Sequence, residues 1–171
     1  MLNYFYQNII KYDLLNKFKY CILKNIPKIV KMSLSFSRKC FELKEIIKFL
    51  LILELIAYKE SNIIKSKNFN LIIKLKKGTP IGCKIILFKK LFYYFLNKLI
   101  FEIFPKTSNY FLNLKNNLQL SLKLKNILNF FEIEQKYYLF TLKNNLNVVI
   151  LTTANNQIEL VFLLSSFKFL I

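Results

Sequence analysis

Histidine and tryptophan are absent from this chain, glycine occurs twice, and proline and cysteine occur three times each. Each scarcity closes off a chemistry. Without histidine, and with Cys21, Cys40 and Cys83 in no CxxC pattern, a zinc centre has no ligand set. Three cysteines with no pairing pattern give no disulfide framework, so each is expected to be a buried, reduced thiol. Two glycines cannot build a phosphate-cradling loop. One aspartate and scattered glutamates offer no acid pair for proton transfer. No catalytic residue, metal or cofactor is expected, and the chain does not read as an enzyme.

What is plentiful is lysine and apolar bulk. The 171 residues suit a single domain with a real core. Lys and Arg number 27 against 9 Asp and Glu, a formal charge of +18. A compact body with that charge repels itself unless something anionic surrounds it, and the usual partners are nucleic acid and anionic lipid. Arg38 is the only arginine. Lysine suits phosphate better than forked, base-specific recognition. Hydrophobic residues make up 54% of the chain, with 18 Phe and 10 Tyr. Lys, Asn, Ile, Phe, Tyr and Leu have A/T-rich codons, so an A/T-biased genome such as an organelle's explains much of this. Neither a secretory signal nor an Arg- and Ser-rich transit peptide is visible at the N-terminus. A protein working in an organelle is then expected to be made there. The most lipid-like stretch, Ile46 to Ala57, contains Lys48 and Glu54 and falls short of the ~20 apolar residues that a membrane span needs.

Periodicity outlines the elements. Residues 3–19 place Phe5, Ile9, Tyr12 and Leu15 near one helical face. After Pro27 a strand is expected, with Val30, Met32, Leu34 and Phe36 toward the core. Phe41 to Lys59 reads as a helix with Leu43, Ile46, Ile47, Leu50, Leu51 and Leu55 inward, and Glu42 and Glu45 at its positive end. Glu60 to Asn70 reads as a basic loop, Leu71 to Lys76 as a strand, Gly78-Thr79-Pro80 as a turn and Ile81 to Phe88 as a strand. A helix from Lys90 to Phe104 should end at Pro105. Leu118, Leu120, Leu122 and Leu124 alternate as in an amphipathic strand. Asn147 to Thr153 reads as a buried strand and Gln157 to Ser166 as a helix. Half-polar strands interleaved with helices predict an α+β fold: a largely antiparallel sheet with helices packed on one face.

The densest cationic stretch is Lys65, Lys67, Lys74, Lys76, Lys77 and Lys84, around the Gly78–Pro80 turn. Such a loop approaches phosphates and releases counterions, although a merely solvated charge run is the plainer alternative. Phe69 either stacks on a base or tucks against the sheet. Gly78 and Gly82 fit a tight turn or a close backbone approach, with Pro80 between them. Lys11 and Lys31 are further candidates for RNA contact, and no metal site is expected.

The segment Gly78 to Lys106, GTPIGCKIILFKKLFYYFLNKLIFEIFPK, resembles the central signature of the L-five family of large-subunit ribosomal proteins. The matching residues are Gly78, Pro80, Ile81, Gly82, Cys83 and Lys84, then Tyr93, Phe95, Leu96, Lys98, Leu99 and Ile100, then Pro105 and Lys106. Both glycines of the chain fall inside it. Asn25 to Phe36 is similar to the family's early strand, Phe130 to Glu134 to its FPEID motif, and residues 146–171 to its closing strand and helix.

The resemblance covers nearly the whole chain and implies a single L-five-like domain over residues 1–171, in the central protuberance of the large ribosomal subunit. It implies binding to large-subunit rRNA, and to 5S rRNA if the organelle retains it. It also implies a basic loop near the P-site tRNA, contact with the small-subunit head and neighbouring central-protuberance proteins, and no membrane span. The family's RNA-contact Asn, Gln, Thr and Arg fall here on Ser35, approximately Lys59, Ile86 and Phe88. A mitochondrial ribosome is expected before a plastid one, given these departures. The competing reading is a basic peripheral membrane protein using amphipathic helices.

Overall fold

In the computed structural model, residues 2–37, 43–69, 75–107, 111–115, 119–140 and 145–169 are described. Six strands form one antiparallel sheet: β1 (Ile29–Ser37), β2 (Asn62–Lys65), β3 (Pro80–Leu87), β4 (Phe111–Lys115), β5 (Gln119–Leu124) and β6 (Leu146–Thr152). Their spatial order is β2-β3-β1-β6-β5-β4, and every neighbouring pair is antiparallel. The expected α+β architecture is present. Its buried lane runs through Met32, Leu34 and Phe36 on β1, Cys83, Ile85 and Leu87 on β3, Leu120, Leu122 and Leu124 on β5, and Leu146, Val148 and Ile150 on β6. Register aligns these residues across the sheet, Leu34 lying opposite both Ile85 and Val148. Successive side chains alternate between faces, so the intervening residues line a second, open face.

Helices cover the apolar lane. The N-terminal helix has α-helical turns at Leu2–Phe5 and Lys11–Lys17 joined by a π turn at Tyr6–Ile10. That extra residue corrects the expected face. Ile9 and Tyr12 are exposed, and Ile10 and Leu14 are buried instead. A uniform period carries Phe5 to Ile9, whereas the π turn carries it to Ile10. The long helix Leu43–Ala57 is also rotated from expectation. It buries Ile46, Phe49, Ile52, Leu53, Ile56 and Ala57, with Phe49 4.8 Å from Phe36 between ring centroids. Leu43, Ile47 and Leu51 are exposed, and Leu50 and Leu55 are only partly buried. The helix is apolar on nearly every side, so periodicity alone does not select its inner face. The buried side is the one turned away from Lys44 and Lys48, both of which are exposed. Glu42 lies outside the described residues.

On β1, Val30 is 40% exposed although the alternation placed it inside. The register with β6 shifts between Ile29 and Lys31, leaving Val30 as the extra residue of a bulge. Asn62–Lys65 pairs as a strand within the segment expected to be a loop. Of the strand expected at Leu71 to Lys76, residues 71–74 lie outside the described residues and Leu75 makes only an isolated bridge. The signature helix Lys89–Lys98 continues through a π turn, Leu99–Ile103, into Phe104–Lys106. Pro105 therefore sits in the last turn of a continuous helix, just after the π turn, where its missing N–H forgoes a bond to the preceding turn, and the helix ends one residue later. The C-terminal helix spans Gln157–Ser166 as expected.

Glycine scarcity shows at the turns. Tyr58, Lys89 and Lys168 all take positive φ, between 49° and 61°. Tyr58 follows the long helix and Lys168 the C-terminal one, positions where glycine is the usual residue. Of the cysteines, Cys83 is a core thiol pushed up to about 11 by burial. Cys21 is exposed, contrary to expectation, and Cys40 lies outside the described residues.

The two glycines are retained for different reasons. Gly78 has φ +87° with open space around a would-be Cβ, so it serves conformation alone. Gly82 has the opposite need: an added Cβ would run into the carbonyl oxygen of Phe36 on β1. Gly82→Ala is expected to cost at least ~2 kcal/mol, against ~1 kcal/mol for Gly78→Ala, in urea denaturation of the full chain. Equal costs would contradict the distinction.

Candidate nucleic-acid interface

The open face of the sheet is built by register. Asn62, Lys84, Ser35, Asn147 and Lys123 form one polar row across β2, β3, β1, β6 and β5. A second row contains Ile86, Ser33, Val149 and Ser121, and a third Lys31, Leu151 and Gln119. Lys31 and Lys84 are half-buried and Lys123 is exposed. Among the described residues no strand contains an acidic side chain. Lys31 and Lys84 were candidates from sequence. Asn62, Lys123 and Asn147 were not, although the Leu120-Leu122-Leu124 alternation already turned Lys123 outward.

At the β3 end of this face, three of the positions matched to family RNA contacts meet. Lys59 Nζ donates to the Ile86 carbonyl at 2.7 Å and lies 5.6 Å from the Phe88 ring centroid. Phe88 offers no donor, but the Lys59 ammonium stands beside its half-exposed ring. Aromatic face and cation together suit a stacked base and a phosphate.

The basic loop between β2 and β3 is closed at its neck by Ser66, itself 8% exposed. Ser66 N–H donates to the Thr79 carbonyl at 2.8 Å, and Gly78 N–H to the Ser66 carbonyl at 3.0 Å. The Lys76 carbonyl accepts from Ser66 Oγ at 2.6 Å and from Thr79 Oγ1 at 2.8 Å. Pro80 opens β3 opposite Lys65. Lys65, Lys67, Lys76 and Lys77 are all exposed around this neck, and Lys74 lies outside the described residues. Phe69 is 60% exposed and therefore not tucked against the sheet. Lys11 is half-buried on the N-terminal helix, in the helix layer and apart from both groups.

One lysine serves the fold instead. Lys98, 5% exposed, forms an ion pair with Glu132 and donates to the Ile56 carbonyl at 3.3 Å. Its ammonium lies 4.4 Å from the Tyr58 ring centroid, and Tyr58 Oη donates to Glu132 Oε1 at 3.1 Å. Burial alone would raise the Glu132 carboxyl. The Lys98 hydrogen bond and charge outweigh it and hold the carboxyl below its ordinary value.

The chain is 35% identical over 169 residues to the mitochondrial large ribosomal subunit protein uL5m of Reclinomonas americana, covering 95% of this chain and 93% of that one. This chain belongs to the uL5 family. The plastid uL5c of Euglena longa is 35% identical over 165 residues, covering 91% of this chain and 89% of that one. The uL5 of Wigglesworthia glossinidia brevipalpis is 31% identical over 174 residues, covering 96% and 95%. No family model matches the chain. As a uL5 protein it is a structural component of the large subunit of an organellar ribosome, not an enzyme. Among the described residues no helix is long and apolar enough to cross a membrane, and no group of acidic or cysteine side chains could hold a metal.

The Lys98–Glu132 pair gives this uL5 chain an acid-sensitive contact. The folded carboxyl ionises below its unfolded value, so the pair's stabilisation is present above the unfolded pKa and lost as pH falls through the folded one. Glu132→Gln leaves Lys98 buried without its counter-charge and is expected to cost ~3 kcal/mol at neutral pH. In urea denaturation at a series of pH values, the gap to the unaltered chain should shrink below about pH 4. A gap independent of pH would remove the ion pair from the account.

Proposed function

We propose that this uL5 chain binds ribosomal RNA through the open face of its sheet, in the central protuberance of the large subunit. One observation carries the reading: Lys31, Lys84 and Lys123 share a sheet face with a row of hydroxyls and amides, and no strand among the described residues holds a carboxylate. Phosphate binding wants that distribution. The half-exposed Phe88 with Lys59 beside it extends the face toward single-stranded bases. Large-subunit rRNA is the principal partner, joined by 5S rRNA where the organelle retains it. The loop lysines Lys65, Lys67, Lys76 and Lys77, with Lys74 in the same run of sequence, reach toward P-site tRNA from the Ser66 neck. The small-subunit head protein and neighbouring central-protuberance proteins complete the surroundings. Lys11, on the helix layer, adds to the positive field without belonging to this face. We take the chain as a single domain throughout.

The ribosome is assigned to a mitochondrion, with a plastid as the alternative. The mitochondrial relative supports this, and the richness in Lys, Asn, Ile, Phe and Tyr fits an organellar genome. The peripheral-membrane alternative does not account for the family membership.

The test is binding of the full chain to a transcript of the central-protuberance rRNA across a salt series. Combined Lys31→Ala, Lys84→Ala and Lys123→Ala changes should weaken binding and flatten the log–log salt slope by about one for each phosphate contact removed. An unchanged slope would take the sheet out of the interface. In assembled large subunits, Lys65→Ala, Lys67→Ala, Lys76→Ala and Lys77→Ala together should spare incorporation but weaken retention of P-site tRNA. Normal tRNA retention would reduce the loop to a solvated charge run.

A further inference from the structure

A cleft of about 590 Å³ opens on the helical side, between the signature helix and the segment around Phe131. Its walls are aromatic: Phe101 is 63% exposed, Phe131 59% and Tyr94 48%. Its polar lining mixes the carboxylates of Glu102 and Glu132 with the ammonium groups of Lys98 and Lys106. Glu132 Oε1 is occupied by Lys98 and Tyr58, but Glu132 Oε2 and Glu102 Oε2 are buried with no hydrogen-bond partner. A buried carboxylate oxygen without a donor is costly, so the cleft is short of donors and not of acceptors. The lysines lining it do not relieve this. Lys98 is taken by Glu132, and Lys106 pairs with Glu134 at 3.3 Å.

Exposed rings around donor-hungry carboxylates match one side chain better than any other. A guanidinium stacks flat on an aromatic face and presents forked donors to carboxylate oxygens. Phosphate is the weaker match here, because both lining lysines are already paired with carboxylates and Glu102 repels it. RNA and anionic lipid are disfavoured for the same reason. Phe101 is also a wall of a second, apolar cleft of about 190 Å³, formed with Leu2, Phe5, Ile100 and Phe167. One ring thus separates an acidic aromatic site from a greasy one.

We infer that this surface docks a basic segment of a neighbouring protein, with an arginine in the Tyr94–Phe101–Phe131 cleft and an apolar side chain beyond Phe101. Clusters of exposed aromatic side chains mark protein contacts. The inference stands apart from the RNA reading, since it uses the helical side and carboxylates where that reading uses the sheet and lysines. It also gives the exposed Phe101 and Phe131 a function that codon bias alone does not.

The test uses the folded full chain and a fluorescein-labelled peptide carrying arginines and leucines on a glycine–serine backbone. Its control is the same peptide with citrulline at each arginine, which keeps the shape and removes the charge. Fluorescence anisotropy should give at least about tenfold tighter binding of the arginine peptide. Phe101→Ser and Glu102→Gln should each weaken it by about fivefold or more, with thermal melts checking that both variants fold. Both should leave affinity for the rRNA transcript unchanged, so a failure here is separable from a failure of the sheet interface. Equal binding of the citrulline peptide overturns the proposal. So do indifference of the arginine peptide to both substitutions and the absence of binding at millimolar peptide.

Discussion

Strand β3 can lie against β1 only because residue 82 has no side chain. The Phe36 carbonyl occupies the space a Cβ would take, so the two backbones approach more closely there than any other residue would permit. Much of the architecture follows from that contact. β3 is the strand that carries β2 on its other edge, and β2 with β3 forms the base from which the basic loop leaves. The same register sets Lys84 opposite Ser35 and Cys83 opposite Phe36, which divides polar from apolar along the middle of the sheet. In a chain whose composition has nearly lost glycine, the residue at 82 is held by packing and the one at 78 by backbone conformation.

The sheet buries one face and leaves the other to a partner. The apolar lane from Cys83 to Ile150 needs the helices, and every helix that covers it brings carboxylates with it: Asp13, Glu54, Glu102 and Glu159 all lie in helical segments. The strands bring lysine and none of the acids. The acids are therefore sorted by secondary structure, while lysines occur on helices and strands alike. The one lysine drawn fully into the helical side, Lys98, needs Glu132, the Ile56 carbonyl and two tyrosine rings around it. Its ammonium is part of the scaffold, and the lysines on the strands and the loop remain available to phosphates.

Strand alternation was legible in the sequence wherever one face was cleanly polar. Met32-Leu34-Phe36 and Leu120-Leu122-Leu124 point inward as the pattern required. It failed at Val30, where a bulge inserts a residue that no period anticipates. Helix existence was readable and helix faces were not. The Leu43–Ala57 helix is apolar almost all round, and the N-terminal helix changes phase at a π turn that leaves no mark in residue type. Of the candidate interface, the lysines of the loop were visible as a charge run. The polar row through Asn62, Ser35, Asn147 and Lys123 was not, because it joins residues far apart in the chain and exists only through register. Lys59 was matched only approximately from sequence, and its position beside the Phe88 ring, which puts a cation next to an exposed aromatic, comes from the fold.

Keeping the acids off the sheet has a consequence before any contact is made. The helical layer mixes lysines with carboxylates, whereas the strands carry lysines alone, so the positive field is least opposed on the sheet's open face. In the field of a polyanion such a body feels a torque as well as a pull. The protein is turned during approach, so the sheet leads and the helices trail, and fewer encounters are wasted on the wrong orientation.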